Sequence, residues 1–253
     1  MIAALMAVAT GGSAAAADIS VPYKAPPPSG CASANWNGFY VGINGGGAMD
    51  RSTLTDLGNA VVAFNGSAVG TQTVTASGGF VGGTAGYNFQ RCLTFWGIEA
   101  DWDWSSLRNS YGVNPIAIGN DNYTVSDNTN WFGTARFRTG VALENLLLYV
   151  TGGAAWANIN HAVAPNPAVF PVGSLPIGFN DTVDQWGWAA GAGAEWSFTS
   201  NLSLKSEVLV LGFPDQSHVI DFSPRYGAGQ LDNFKSSDEI FVFRTGLNWR
   251  FGG

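Results

Sequence analysis

The chain has 253 residues, of which 34 are Gly, 10 Trp, 7 Tyr and 16 Phe, while only 11% are charged. Its net charge of -7, with 11 Lys and Arg in all, excludes a nucleic-acid surface, which needs clustered basic side chains. The charge alone identifies no partner.

Met1 to Ala9 is apolar, Thr10 to Ser13 is small and polar, and Ala14 to Ala17 ends in an A-x-A pattern before Asp18. This reads as a secretory signal over residues 1–17, cleaved after Ala17, although no Lys or Arg precedes Lys24 to form a basic leading region. Residues 18–35 contain Pro22, Pro26, Pro27 and Pro28 among small residues, which predicts an extended periplasmic lead-in. No later apolar run is long enough for a transmembrane helix. Any membrane span must therefore be built from strands, over residues 36–253.

The clearest strand is Gln185 to Phe198. Trp186, Trp188, Ala190, Ala192, Ala194, Trp196 and Phe198 fall on one face, while Gln185, Gly187, Ala189, Gly191, Gly193, Glu195 and Ser197 fall on the other. Successive side chains of a strand point to opposite faces, so one face is wholly apolar and ends in aromatics. With a rise of about 3.3 Å per residue and a tilt of about 40°, Trp186 and Phe198 lie about 30 Å apart along the normal. Trp188 and Trp196 lie about 20 Å apart, and the two pairs bracket the apolar band of an outer-membrane barrel.

The pattern recurs seven times. The first strand turns Asn37, Phe39, Val41 and Ile43 outward, and the second Val81, Ala85, Tyr87 and Phe89. In the third, Trp96, Ile98, Ala100, Trp102 and Trp104 oppose Gly97, Glu99, Asp101 and Asp103. In the fourth, Trp131, Ala135, Phe137 and Val141 oppose Thr134, Arg136, Arg138 and Gly140. The fifth turns Leu148, Val150, Ala154 and Trp156 outward; the seventh turns Lys205 and Glu207 inward beneath Leu202, Leu204, Val208 and Val210. The last strand places Phe241, Phe243, Leu247, Trp249 and Phe251 outside and Arg244, Asn248 and Arg250 inside. The aromatic girdle is thus Trp96, Trp102, Trp104, Trp131, Trp156, Trp186, Trp188, Trp196, Phe198, Trp249 and Phe251.

The connections separate membrane from water. Short links are expected at Gln90 to Thr94, Leu143 to Leu146 and Thr199 to Asn201, and long ones at Ala48 to Ser77, Leu107 to Asn130, Asn160 to Asp184 and Gly212 to Ser237. Such long links are uncommon in a compact soluble domain, whereas short turns on one side and long loops on the other characterise outer-membrane barrels. The fold predicted is all-β: an eight-stranded antiparallel transmembrane up-and-down β-barrel with short periplasmic turns, long extracellular loops and periplasmic termini.

The mature start ADISVPYKAPPP, the first strand Trp36 to Gly42, the fourth strand Trp131 to Gly140 and the closing Leu247 to Phe251 together resemble the alphaproteobacterial small outer-membrane protein family typified by the Brucella 25 and 31 kDa immunogens. The resemblance covers nearly the whole mature chain. It implies an OmpA-like barrel of the porin family in the Gram-negative outer membrane, made by the barrel assembly machinery and exposed as a surface antigen. Some relatives are linked to haem binding. Barrels of this kind usually end on the aromatic residue, whereas Phe251 is followed by Gly252 and Gly253.

The inward charges Glu99, Asp101, Asp103, Arg136, Arg138, Glu195, Lys205, Glu207, Arg244 and Arg250 define a lumen network. Aligning the third and fourth strands by their chain ends sets Glu99 across from Arg138 and Asp101 across from Arg136; the sixth and seventh set Glu195 across from Lys205. An eight-stranded interior is only wide enough for side chains to fill, and buried charges need partners. A plugged lumen is expected, with a narrow ion path as the alternative. Asp101 and Asp103 share a face but lack a nucleophile or cleft, so hydrolysis is not expected.

Cys31 precedes the first strand and Cys92 lies in a short turn, so both fall at the periplasmic end. That compartment is oxidising, and a disulfide between them is expected, with two free thiols as the alternative. His161 and His218 fall in the long links and are the candidates for surface haem ligation, with Tyr111, Tyr123 and Tyr226 as rivals; a solvated loop histidine is the simpler reading. Glycine runs such as Gly45-Gly46-Gly47 lack the strand-to-helix context of a phosphate loop and instead make room in the lumen. The chain reads as a structural, surface-exposed barrel without cofactor or catalytic group. Its partners are outer-membrane lipid and lipopolysaccharide, with haem or a host-surface ligand as a further possibility at the loops; a small-solute porin and a surface receptor are the rival functions.

Overall fold

The computed structural model describes residues 34–57, 71–113, 123–165, 179–221 and 231–251. The signal segment, the lead-in up to residue 33 with Cys31, and Gly252 and Gly253 lie outside them. The strands are β1 (Gly38–Asp56), β2 (Thr71–Arg91), β3 (Thr94–Val113), β4 (Tyr123–Leu143), β5 (Leu146–Pro165), β6 (Phe179–Ser197), β7 (Leu202–Gly212), β8 (Gln216–Asp221) and β9 (Leu231–Arg250). Every neighbouring pair is antiparallel, and β1 pairs with both β2 and β9, which closes the sheet. β7 and β8 both pair with β9 and together make one stave. They are separated at Pro214, which has no N–H to donate to the ladder. The architecture is therefore the expected eight-staved barrel.

At one end of the barrel the connections are tight. β2 and β3 are joined through Cys92 and Leu93, and β4 and β5 through Glu144 and Asn145, with Cys92 at φ 57° and Glu144 at φ 49°. Positive φ is what a two-residue hairpin turn requires. Cys92 is disulfide-bonded; its expected partner Cys31 lies outside the described residues.

The strands are much longer than the alternation suggests. Instead of ending near Ala48, Leu107 and Asn160, β1, β3 and β5 run on to Asp56, Val113 and Pro165, and the stave of β7, which does end at Gly212, is continued by β8 to Asp221. The expected long links are shortened accordingly. The period-two apolar signal stops where lipid stops, because above that level both faces can be polar, while the backbone ladder continues through Thr-, Ser- and Asn-rich sequence. The register of β3 on β4 also differs from expectation. Glu99 lies across from Arg136, Asp101 from Thr134 and Gly97 from Arg138, a shift of two residues that preserves which face each side chain occupies. No tight turn joins these strands to fix their register. The pairing instead brings Trp104 opposite Trp131, just before register shifts in both β3 and β4. Glu195 pairs with Lys205.

The outer face is apolar. Ile43, Val81, Ile98 and Trp186 are each more than 60% exposed, and every girdle aromatic points outward. Exposed apolar surface on this scale is foreign to a water-soluble monomer and is what lipid requires. The rings pack along the belts, with Trp102 on Trp131 at 4.3 Å, Phe89 on Trp96 at 4.4 Å and Trp156 on Trp186 at 5.5 Å between centroids.

Glycine makes room inside. A Cβ on Gly193 would lie 2.6 Å from the Tyr149 Oη and 2.9 Å from the Ser206 carbonyl oxygen. Gly193→Val is expected to cost about 1–3 kcal/mol through overpacking, read as a lower midpoint in urea unfolding of the refolded barrel followed by its heat-shifted gel band.

Candidate functional site

Among the described residues, chemistry-bearing side chains collect in the lumen, which is filled in four layers. The order follows from each strand's inward parity. From the turn end, β9 presents Arg244, then Val242 and Ile240, then Asp238 and Ser236, and β5 presents Tyr149, Thr151, Ala155, Ala157, Ile159 and His161.

The layer at the turn end is aromatic. Trp36, Phe95, Ala142, Leu147 and Tyr149 form one buried cluster. Trp36, just before β1, donates its backbone N–H to the Gln90 Oε1 at 2.7 Å, and its ring lies 4.2 Å below the Arg250 guanidinium. Arg250 donates to the Ser197 hydroxyl and the Asn35 carbonyl at 2.7 and 3.1 Å. It belongs to this cap rather than to the ion-pair network.

Above it lies the charged layer, and Glu99 is its hub. Its carboxylate accepts from Arg136 at 2.7 Å, Lys205 at 2.9 Å, Arg138 at 3.2 Å, Arg244 at 3.4 Å and the Tyr40 hydroxyl at 2.6 Å. Arg136 also reaches Asp101 at 3.0 Å and Glu207 at 2.8 Å. Arg244 holds Glu207 at 2.7 Å, Asp101 at 2.9 Å and Asp103 at 3.4 Å. Arg138 meets Glu195 at 3.3 Å, donates from its Nε and Nη2 to the Asn88 amide oxygen at 3.1 and 2.9 Å, and lies 4.7 Å over the Tyr40 ring. Glu195 is held by Ser203 and by Asn248 at 3.0 Å. Lys205 therefore spends its ammonium on Glu99, across the lumen, rather than on its ladder neighbour Glu195.

The third layer is apolar. Phe80, Leu107, Phe132, Ile159, Leu209, Leu211, Phe213, Ile240 and Val242 are buried together inside the barrel, with Phe80 and Phe132 edge-on at 5.2 Å. Single inward apolar residues beyond the girdle carry no alternation to mark them, so the sequence reading missed this layer. The inward parity of β4 and β9, continued from Arg136 to Phe132 and from Arg244 to Val242 and Ile240, would have exposed it.

The outermost layer is polar again and contains both histidines. Contrary to the expectation of surface loops, His161 lies in β5 and His218 in β8, and each is buried. The reason is the continuation of the strands: His161 is five residues past Trp156, about 12 Å beyond the aromatic belt, yet still on the inward parity. The His161 Nδ1 donates to the Asp127 Oδ1 at 2.8 Å, its Nε2 lies 3.5 Å from the Asp238 Oδ2, and its ring centroid is 5.3 Å from that of His218. Burial pulls the His161 pKa down, but the neighbouring Asp127 and Asp238 carboxylates outweigh it and raise it to about 10. Burial, then the charge on His161, pushes His218 below its ordinary value. Thr129 donates to the Asp50 Oδ2 at 2.9 Å, linking β4 to β1 across the same mouth. The rival haem candidates Tyr111 and Tyr123 have side chains outside the described set, as does Tyr226 altogether.

A closed antiparallel barrel with a lipid-facing apolar belt and a charged interior defines an outer-membrane β-barrel protein. The chain belongs to the outer membrane protein β-barrel domain family, whose model matches residues 2–251. It is 32% identical over 252 residues to the 31 kDa outer-membrane immunogenic protein of Brucella melitensis biotype 1, covering 94% of each chain. It is 25% identical over 203 residues to the 22 kDa outer membrane protein of Rhizobium leguminosarum bv. viciae, covering 79% of this chain and 74% of that one. Among solved structures, OprG from Pseudomonas aeruginosa shares the fold at a TM-score of 0.53 and 14% identity, with 88% of this chain and all of that one covered. The protein resides in the Gram-negative outer membrane.

Breaking a buried ion pair by removing one partner typically costs about 3–5 kcal/mol. Glu99→Gln strands four cations, and its unfolding free energy in urea is expected to fall by about that amount; Glu144→Gln, in an exposed turn, should change it by less than about 0.5 kcal/mol.

Proposed function

We propose that this protein is a structural, surface-exposed outer-membrane barrel whose lumen is plugged and whose work is to anchor and display the segments joining its strands at the loop end. The observation that carries the reading is the stacking of four side-chain layers across one narrow interior, each fully buried at its centre. A buried ionic network of this density holds its members to one another rather than to passing ions. The adjoining apolar layer offers no polar partner to replace the hydration of a solute. The Brucella relatives are named as immunogenic outer-membrane proteins, which supports surface exposure here. In this reading the apolar belt meets membrane lipid and lipopolysaccharide, the barrel assembly machinery inserts the chain, the termini are periplasmic, and no reaction is catalysed. Segments 58–70, 114–122, 166–178 and 222–230, which lie outside the described residues, would present any haem or host-ligand contact.

Refolded protein, shown to be folded by its heat-shifted band, is expected to leave a planar bilayer silent at 1 M salt. Phe132→Gly combined with Leu209→Gly removes the centre of the apolar layer, and this variant is expected to produce brief, irregular current events. Reproducible discrete steps from the unaltered protein, changed in size by Arg136→Gln, would make it a narrow porin instead.

A further inference from the structure

The outermost layer contains buried polar atoms that no hydrogen bond satisfies, although the His161 Nε2 and the Asp238 Oδ2 face each other as an ion pair at 3.5 Å. Asp238 is 2% exposed, yet among the described residues neither of its carboxylate oxygens accepts a hydrogen bond; the Asp50 Oδ1 and the His161 Nε2 are also buried without a hydrogen-bond partner. Buried unsatisfied polar atoms in a native structure point to an ion or water that satisfies them. The site also concentrates negative charge, since Asp127 and Asp238 flank His161, the His218 ring lies beside it, and the buried Asp50 carboxylate is near enough to feel both aspartates.

The spacing narrows the choice. Two donors about 2.0–2.1 Å from a tetrahedral zinc ion lie about 3.4 Å apart, and two imidazole rings sharing it have centroids about 5.2 Å apart. The His161 Nε2 and Asp238 Oδ2 are 3.5 Å apart, and the His161 and His218 centroids 5.3 Å apart. On its other side the His161 ring is fixed by Asp127 at 2.8 Å, the carboxylate–imidazole arrangement that orients and strengthens a metal-binding histidine.

We propose that the loop-end chamber is a binding site for a divalent metal ion of the zinc class, with His161 and Asp238 as its two preset donors, His218 as the third and Asp127 holding the His161 ring. Among the described residues, no three such side chains already converge on one point. His218, whose Nε2 lies 3.2 Å from the Ser236 hydroxyl, completes the set by rotating its ring inward, and a water or Asp50 fills the fourth position. The mixed nitrogen and oxygen donor set suits zinc, or cobalt as its spectroscopic substitute, rather than calcium or magnesium, which take oxygen donors. The bound ion would tie β5 to β8 and β9 across the barrel mouth.

The test uses the refolded full chain without a histidine tag, stripped with chelator in detergent micelles and titrated with Co2+, then Zn2+. One Co2+ per barrel with the visible absorption of a tetrahedral site, displaced by Zn2+, is expected. His161→Asn, Asp238→Asn and His218→Ala should each weaken binding by about tenfold or more, and Asp127→Asn, which leaves all three donors in place, by about 10- to 100-fold. The heat-shifted band establishes that each variant is folded, and Asp127→Asn keeps the test decisive if a donor variant fails to refold. Absence of the absorption band at millimolar Co2+, or unchanged binding in Asp127→Asn or in any folded donor variant, would overturn the assignment.

Discussion

Moving a carboxylate out of water costs several kcal/mol unless cations and donors replace its hydration, and in this barrel that requirement falls chiefly on Glu99. Four cations and a phenol converge on it from β1, β4, β7 and β9. β7, β9 and β1 are consecutive staves that face β3 and β4 across the lumen, so the network is a cross-brace as well as a neutralising device. Tyr40 and Tyr149 need the room that Gly86 and Gly193 leave. Five acidic side chains and the four network cations, with Arg250 below them, then occupy the charged layer with no large uncompensated charge.

The outer surface follows the opposite logic on the same strands. Strict alternation lets Trp102 and Trp104 face lipid while Asp101 and Asp103 face the lumen. The two faces meet different solvents, so a one-residue slip would expose charge to lipid and tryptophan to the network. That penalty fixes parity. Fine register is a smaller matter, decided by side-chain fit, and here the Trp102–Trp131 stack and the Glu99–Arg136 ion pair both lie across the β3–β4 seam.

Legibility in the sequence tracks the same distinction. Where lipid imposes an apolar face, as at Gln185–Phe198 or Trp96–Trp104, the strands, their parity, the girdle and the inward charges could all be read directly. The family resemblance rested on these same stretches. The two-residue offset of Asp101 from Arg136 could not be read, because a long link leaves register to tertiary fit. The upper half of each strand was also hidden, since around Asp127, His161 and Asp238 both faces are polar and alternation carries no contrast. His161 and His218 therefore looked like loop residues, and the apolar layer of Phe80, Phe132, Leu209 and Ile240 was overlooked.

The closure of the lumen is the claim on which the functional account stands. An experimental crystallographic density map at a resolution that resolves individual waters tests it most directly. The account predicts side-chain density filling the section from Arg138 to Phe132, with at most isolated waters bonded to groups such as Asn44 and Asp103, whose unpartnered buried atoms could hold them. A continuous file of ordered waters running past Glu99 and Phe132 to the outer chamber would contradict it.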